Sequence, residues 1–303
     1  MKKLKKNLLL TAIAAALLLP SSLALAQNKW PIYIAPKVML SHQRVKDFEN
    51  TMTQNSWNNP DTAAPVAPEE GGSTEGIERL GSLSGLNYTS HGGDAITDNV
   101  LGGGVAVGYD FYAAGYAAPI RTEIEFMARA ASKAQYDPSY NGSVTLTKQE
   151  WVNSEWRDSA SITEDFYGQH TVETNVYTLM ANAYFDIHTD TPVTPYIGVG
   201  LGGAYLDTTS KSVYSSQNIN YTGEHNKWNL AYNVGGGMAV DIRENIALDL
   251  GYRYSNFGKG EGGIGNNTHY YIQAVDEQVP FTMRSKHEMD AHEVTLGLRI
   301  SAF

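Results

Sequence analysis

A chain of 303 residues with 42% hydrophobic content has material for one large domain or two small ones. Its formal charge of −10 includes the lysines at Lys2, Lys3, Lys5 and Lys6, so the rest is more acidic still, and nucleic acid is excluded as a partner class. The absence of cysteine excludes disulfides, thiolate metal sites, cysteine nucleophiles and a lipidated N-terminal Cys.

Met1–Ala26 has a lysine-rich start, an apolar Leu8–Leu19 stretch, and Ala24-Leu25-Ala26 ahead of Gln27. This pattern predicts a secretory signal peptide over 1–26, cleaved after Ala26, and export of 27–303 as one domain. No later apolar run approaches the roughly 20 residues of a spanning helix. A membrane barrel escapes that test, because only every second residue of its strands faces lipid.

Eight segments then read as strands: Trp30–Gln43, Asn99–Phe111, Ile120–Ala131, Val172–Ile187, Thr194–Thr208, Lys227–Ile242, Ile246–Phe257 and His287–Phe303. The connections alternate. Tyr112–Pro119, His188–Val193 and Arg243–Asn245 are short, whereas 44–98, 132–171, 209–226 and 258–286 are long. The hairpin Trp228–Phe257 shows the logic most plainly. Trp228, Leu230, Tyr232, Val234, Met238, Val240 and Ile242 share one phase of a period of two, and small or polar residues share the other. Its second arm sets Ile246, Leu248, Leu250, Tyr252 and Tyr254 against Ala247, Asp249, Gly251, Arg253 and Ser255. Each arm exceeds the roughly 9–11 residues a tilted strand needs to cross a bilayer.

The polar phase of the other strands carries glycine and charge. Ile124 and Phe126 alternate with Arg121, Glu123, Glu125, Met127 and Arg129; Ile197, Val199 and Leu201 alternate with Gly198, Gly200 and Gly202. A Lys or Arg on the lipid face costs roughly 2–4 kcal/mol at mid-depth, so these charges belong inside. There Lys37, Arg121, Arg129, Arg253 and Arg299 nearly balance Glu123, Glu125, Asp249 and Glu293. About eight strands enclose little more than side chains, so the expectation is a plugged lumen with an ionic network. The architecture expected is all-β: an eight-stranded antiparallel transmembrane β-barrel with short periplasmic turns and four long extracellular loops.

The long connections are a different material. The 44–98 segment contains NNPDTAAPVAPEEGGSTEG, acidic and rich in Pro and Gly, which reads as mobile chain. The 132–171 segment is also acidic and holds Trp151 and Trp156, and the glycines of GKGEGGIGNN in 258–286 read as flexibility. Tyr109, Phe111, Tyr112 and Tyr116 near one end, with Trp228, Tyr252, Tyr254 and Phe257 near the other, fit interfacial girdles.

PYIGVGLGGAYLD (Pro195–Asp207), the Trp228–Phe257 hairpin and the terminal EVTLGLRISAF (Glu293–Phe303) together resemble the OmpA-like and opacity-type family of eight-stranded outer-membrane proteins. The resemblance covers nearly all of the barrel. It implies a bacterial outer membrane rich in lipopolysaccharide, and insertion by the outer-membrane assembly machinery. Thr295, Gly297, Ile300 and Phe303 look like the assembly signal, although Phe303 stands out of phase with Leu298 and Ile300. The chain stops at that strand, so no periplasmic peptidoglycan-binding domain is expected after it.

HEMDAHE invites a metal reading, but His287 and His292 are five apart and face opposite ways on a strand, so they cannot share an ion; His292 and Asp290 share a phase and could pair at the rim. No Ser/His/Asp spacing favours catalysis, and GKGEGG lacks the Lys-Ser/Thr end of a phosphate loop. The expected function is therefore non-enzymatic, with neither metal nor cofactor. It is structural or surface-recognising, with a possible partner held through 44–98 and 132–171. The alternatives are a narrow pore for small solutes, a rim-sited hydrolase using His287 and His292, and, as rival fold, a soluble secreted barrel.

Overall fold

The computed structural model describes residues 30–54, 78–84, 88–92, 94–136, 142–166, 168–214, 219–272 and 277–301. The signal peptide expected at 1–26, the Pro/Gly-rich stretch at 58–76 and Phe303 lie outside them. The strands are β1 (Ile32–Gln54), β2 (Glu78–Ser84), β3 (Tyr88–His91), β4 (Ile96–Asp110), β5 (Ile120–Tyr136), β6 (Gly142–Val152), β7 (Glu155–Phe166), β8 (Gly168–Asp186), β9 (Val193–Tyr214), β10 (Ile219–Arg243), β11 (Ile246–Ile272) and β12 (Glu277–Ile300).

Eight of these close a ring in the order β1-β4-β5-β8-β9-β10-β11-β12, with β12 pairing back onto β1. Every pairing in the ring is antiparallel. Closure of the lower ring leaves no free edge there among the described residues, which is what hydrocarbon requires of a spanning sheet. At the short-turn end, the Asp110 carboxylate accepts hydrogen bonds from the backbone N–H groups of Tyr112 and Ala113, and Gly115 takes a φ of 88°.

Over the lower part of the ring the greasy phase faces out. Leu230 is 74% exposed and Leu101 69%, and Ile124, Ile197, Val199 and Leu201 are likewise on the outer wall. The opposite phase is buried: Tyr33, Lys37, Arg121, Glu123, Glu125, Met127, Arg253 and Glu293 all point inward. A soluble protein would reverse this arrangement.

The strands run well past the expected ends. Segments 209–226 and 258–286, expected as loops, are mostly strand: β9 pairs with β10 without a register shift from Val193↔Val240 up to Tyr214↔Ile219. β11 and β12 pair as far as Ile272↔Glu277, so Gly258, Gly260 and Gly262, expected to be flexible, sit in a strand. Within 44–98, β1 continues to Gln54, and β3 joins it at Glu49↔His91 through Met52↔Tyr88. Within 132–171, β6 and β7 form a hairpin that takes β2 into a second, three-stranded sheet. Not every ladder continues: β4–β5 pairing stops at Gly102↔Arg129 and β10–β11 pairing at Tyr232↔Asn256, where water can satisfy backbone groups that lipid could not.

Three bulges mark the height at which the barrel leaves the bilayer. They lie between Lys46 and Glu49 in β1, opposite Arg129–Ser132 in β5, and between Asn256 and Gly258 in β11. An extra residue reverses the alternation of the strand that carries it. Above the bulges the inward positions are Phe48 and Asn50 in β1, and Ser132, Ala134 and Tyr136 in β5. There Val45, Phe48, Tyr136, Val172, Val176, Leu206, Phe257 and Met289 pack as an apolar core, while Lys133, Glu173 and Lys211 face water.

Candidate functional site

The interior of the lower ring is the chemically richest place in the molecule. Eight strands converge there, and the alternation sends every second side chain to the axis. The glycine positions make the room. A Cβ at Gly104 would sit 2.6 Å from the Met127 sulfur, and one at Gly235 would sit 2.7 Å from Arg253 Cβ.

A continuous chain of ion pairs crosses this space. Asp186 Oδ2 accepts from Arg121 Nε at 3.1 Å, and Arg121 Nη1 donates to Glu123 Oε1 at 2.8 Å. Lys37 Nζ bridges Glu123 (2.6 Å) and Glu125 (2.8 Å). Arg253 bridges Glu125 (2.6 Å) and Glu293 (2.8 Å), and Arg129 Nε completes the run on Glu293 at 2.6 Å. Arg299 pairs separately with Asp249 at 3.2 Å. Every ionic residue expected from the sequence is therefore in the lumen and in contact with another.

One member is absent from the sequence-based set. Asp186 ends β8 and gives the described residues five lumenal carboxylates against five lumenal cations. Its signal was legible, since it shares a phase with Asn182 and Tyr184, although it stands at the end of the strand.

Neutral groups fill further acceptor sites. Tyr33 and Tyr184 hydroxyls donate to Glu123, and Ser41 and Ser255 hydroxyls donate to Glu293. Arg121 lies 4.2 Å from the Tyr184 ring centre and 5.0 Å from that of Tyr196. The Tyr196 hydroxyl donates to Asp249. Charges withdrawn from water at this depth keep their ionised state only through such full pairing. The space left in the network is a cavity of about 30 Å³ lined by Lys37, Arg121, Glu125, Asn233, Asp249 and Arg253. A polar cavity of that size has room for ordered water.

Above the bulges the interior changes character. Phe48 packs on Tyr136 at 4.1 Å between ring centres, and Tyr136 stacks on His170 at 5.5 Å. Burial holds His170 and His287 neutral, with their pKa values pushed down to about 4. Phe257, expected in the outer girdle, is inside and lies 4.6 Å from the Arg129 guanidinium. Its odd number already placed it out of phase with Tyr252 and Tyr254. Tyr109, Phe111 and Tyr116 form edge contacts at the short-turn end, and Trp228 packs on Tyr205 at 5.1 Å on the outer wall.

His287 points inward and His292 outward, so the two stand on opposite sides of the wall. The expected pairing of His292 with Asp290 does not form. His292 Nδ1 shares a hydrogen bond with the Tyr252 hydroxyl, while Asp290 is taken by Arg44 (2.6 Å) and Lys46 (3.2 Å). Among the described residues no group of three or more His, Asp or Glu is placed to hold a metal ion. Of the residues expected as an assembly signal, Thr295, Gly297 and Ile300 lie in β12, where Gly297 stands in register between Lys37 of β1 and Asp249 of β11.

A closed ring of eight antiparallel strands, hydrocarbon-facing outside and ionic inside, defines a transmembrane β-barrel. The chain belongs to the Surface antigen family, whose model matches residues 85–295. It is 31% identical over 163 residues to outer membrane protein PagN of Salmonella typhimurium, covering 54% of this chain and 60% of that one. It is 25% identical over 182 residues to major surface antigen 4 of Anaplasma marginale, covering 56% of each. The match thus spans little more than half of these relatives' length. Among solved structures it resembles the outer membrane protein OprG of Pseudomonas aeruginosa with a TM-score of 0.42 at 11% identity, covering 91% of this chain and 98% of that one. It also resembles Neisserial surface protein A with a TM-score of 0.35 at 12% identity, covering 88% and 96%. At such scores the fold rests on the strand ring itself. The protein is a bacterial outer-membrane β-barrel of the surface-antigen type.

Proposed function

We propose that this barrel is a non-enzymatic, opacity-type surface-recognition protein whose lumen is plugged and whose working part is the chain beyond the outer leaflet. The observation that carries this reading is the unbroken run of ion pairs across the lumen from Asp186 to Arg129. A solute would have to break several buried ion pairs to pass, each costing roughly 3–5 kcal/mol when one partner is lost. The placement of His287 and His292 on opposite sides of the wall further supports a non-enzymatic role.

The partner-facing candidates are the segments 44–98 and 132–171. The β6–β7 hairpin carries an edge-to-face Trp151–Trp156 pair (5.2 Å between ring centres) at its tip, and Asn153 and Ser154 turn with positive φ. Tryptophan held rigidly at an exposed turn suits a recognition anchor. Insertion through Thr295, Gly297, Ile300 and Phe303 belongs to the same reading.

The test is the conductance of refolded protein in planar bilayers, beside surface binding by cells displaying the full chain or a version with 142–166 replaced by a short turn. Silence in the bilayer, with binding lost on loop replacement, is the expected result. Reproducible discrete openings would overturn the plug and favour the narrow-pore alternative.

A further inference from the structure

Two histidines face each other on the outer wall. His42 of β1 and His292 of β12 are direct partners in register, on the outward phase of the two strands whose pairing closes the ring. In the described pairings no other two histidines stand opposite one another. The row continues to Asn99 of β4 on one side and to Tyr254 of β11 on the other. It lies directly above the lipid-facing pair Leu40–Val294, and water reaches it, since His42 is exposed and His292 half-buried.

Each ring is held by its Nδ1. His42 Nδ1–H donates to Asn99 Oδ1 at 2.8 Å, and His292 Nδ1 shares a 2.8 Å hydrogen bond with the Tyr252 hydroxyl. An amide oxygen only accepts, so the His42 proton sits on Nδ1 and its Nε2 presents a bare lone pair. A tyrosine hydroxyl accepts as well as donates, so the same tautomer is open to His292. Neither Nε2 has a partner among the described residues. An outer hydrogen bond that fixes the ring and leaves the other nitrogen free is the arrangement found around metal-ligating imidazoles.

The spacing fits as well. Directly opposed residues carry Cβ atoms roughly 4.5–5.5 Å apart. Two imidazole nitrogens on one tetrahedral ion stand about 3.3 Å apart, which side-chain rotation reaches without moving the backbone. Nearby charge does not oppose a cation. Asp290 holds Arg44 and Lys46 at 2.6 and 3.2 Å. Lys46 (3.9 Å) and Lys259 (3.2 Å), the latter turned outward by the bulge at Gly258, flank Glu288. Asp47, exposed in the β1 bulge, adds a third carboxylate against these three cations.

We propose that His42 and His292 chelate one divalent late-transition ion, of the zinc, nickel or copper class that imidazole prefers, with water in the remaining positions. The ligand that His287 cannot supply to His292 comes from the first strand of the ring. The ion clips that strand to the last one where the barrel closes.

The test is isothermal titration of the refolded, untagged full chain in nonionic detergent with Zn²⁺ and, separately, Cu²⁺, with Mg²⁺ as the hard-ion comparison. One ion per chain is expected. His42→Ala and His292→Ala should each weaken binding by about tenfold or more, the loss that even an outer-shell partner produces. His225→Ala, at an exposed histidine of β10, should bind as wild type does. Saturating Zn²⁺ should raise the urea midpoint of the wild type and leave both histidine variants where they were, because the two ligands come together only in the folded ring. No binding of either ion by wild type, equal uptake of Mg²⁺, or a wild-type midpoint that Zn²⁺ leaves in place overturns the proposal. Unchanged affinity in either histidine variant also overturns it and leaves an adventitious ion only. Should an Ala variant lose the heat-dependent gel shift of a folded barrel, His42→Gln and His292→Gln take its place under the same outcomes.

Discussion

The two halves of this barrel are built from the same strands with opposite contents. Below the bulges at Lys46 and Gly258, Arg121, Glu125 and Glu293 are inside and Leu101, Val199 and Leu230 outside. Above them, Phe48, Tyr136, Leu206 and Met289 are inside, and Lys133, Glu173 and Lys211 outside. In hydrocarbon the sheet must close on itself, whereas above the bulges the β4–β5 and β10–β11 ladders stop at Gly102↔Arg129 and Tyr232↔Asn256. The side chains follow the same division. Hydrocarbon outside leaves the interior as the place for charge, whereas water outside drives apolar groups in.

The largest effects should come from emptying either interior. Glu293→Gln removes the carboxylate shared by Arg129 and Arg253 and should cost roughly 3–5 kcal/mol in urea unfolding from lipid vesicles. Phe48→Ala should cost about 3 kcal/mol or more, but locally. Hydrogen exchange should quicken in Val172–Val176 and Ala204–Leu206, and leave the strands around Glu125 protected. If both variants soften the whole barrel equally, the two halves are one cooperative unit and the comparison fails.

A same-strand pair sharpens the contrast. Val199 and Thr209 lie on the outer face of β9, one in the bilayer and one above it. Val199→Arg should destabilise by roughly 2–4 kcal/mol, and Thr209→Arg by no more than about 0.5 kcal/mol, in the same assay.

The smallest effect separates the halves by pH. His170 and His287 have folded pKa values near 4, below the ordinary value of about 6.5, so the unfolded segment takes up protons first as the pH falls. Their contribution is intact above about pH 6.5 and is lost on the way down to about 4, on the order of 2 kcal/mol for His287. Protease susceptibility of the extracellular half should rise across that window, and His287→Gln should flatten the response.

How far the sequence could be read follows from where its period breaks. Alternation was legible from Trp30 to Gln43, from Ile120 to Ala131 and from Ile246 to Phe257, and each of those ends falls within a few residues of a bulge. Past each one the strand continues with its phase reversed and its faces exchanged, which a search for a greasy outward stripe reads as loop. In β9 no bulge intervenes, yet Thr208, Ser210 and Ser212 replace glycine and apolar residues inside, and the segment still looked like a loop. Phe257 was misplaced because its aromatic character outweighed its phase, and Asp186, the last residue of β8, was not singled out.

A period of two, with charge confined to one phase, is a local property, and it determined that the strands exist, how many cross and which residues face lipid. The choice of partners was not local. Arg121 meeting Asp186, Arg253 spanning Glu125 and Glu293, and Lys259 turned out beside Lys46 depend on ring closure, register and a single inserted residue. Only the folded chain brings strands separated by more than a hundred residues to the same height around one axis.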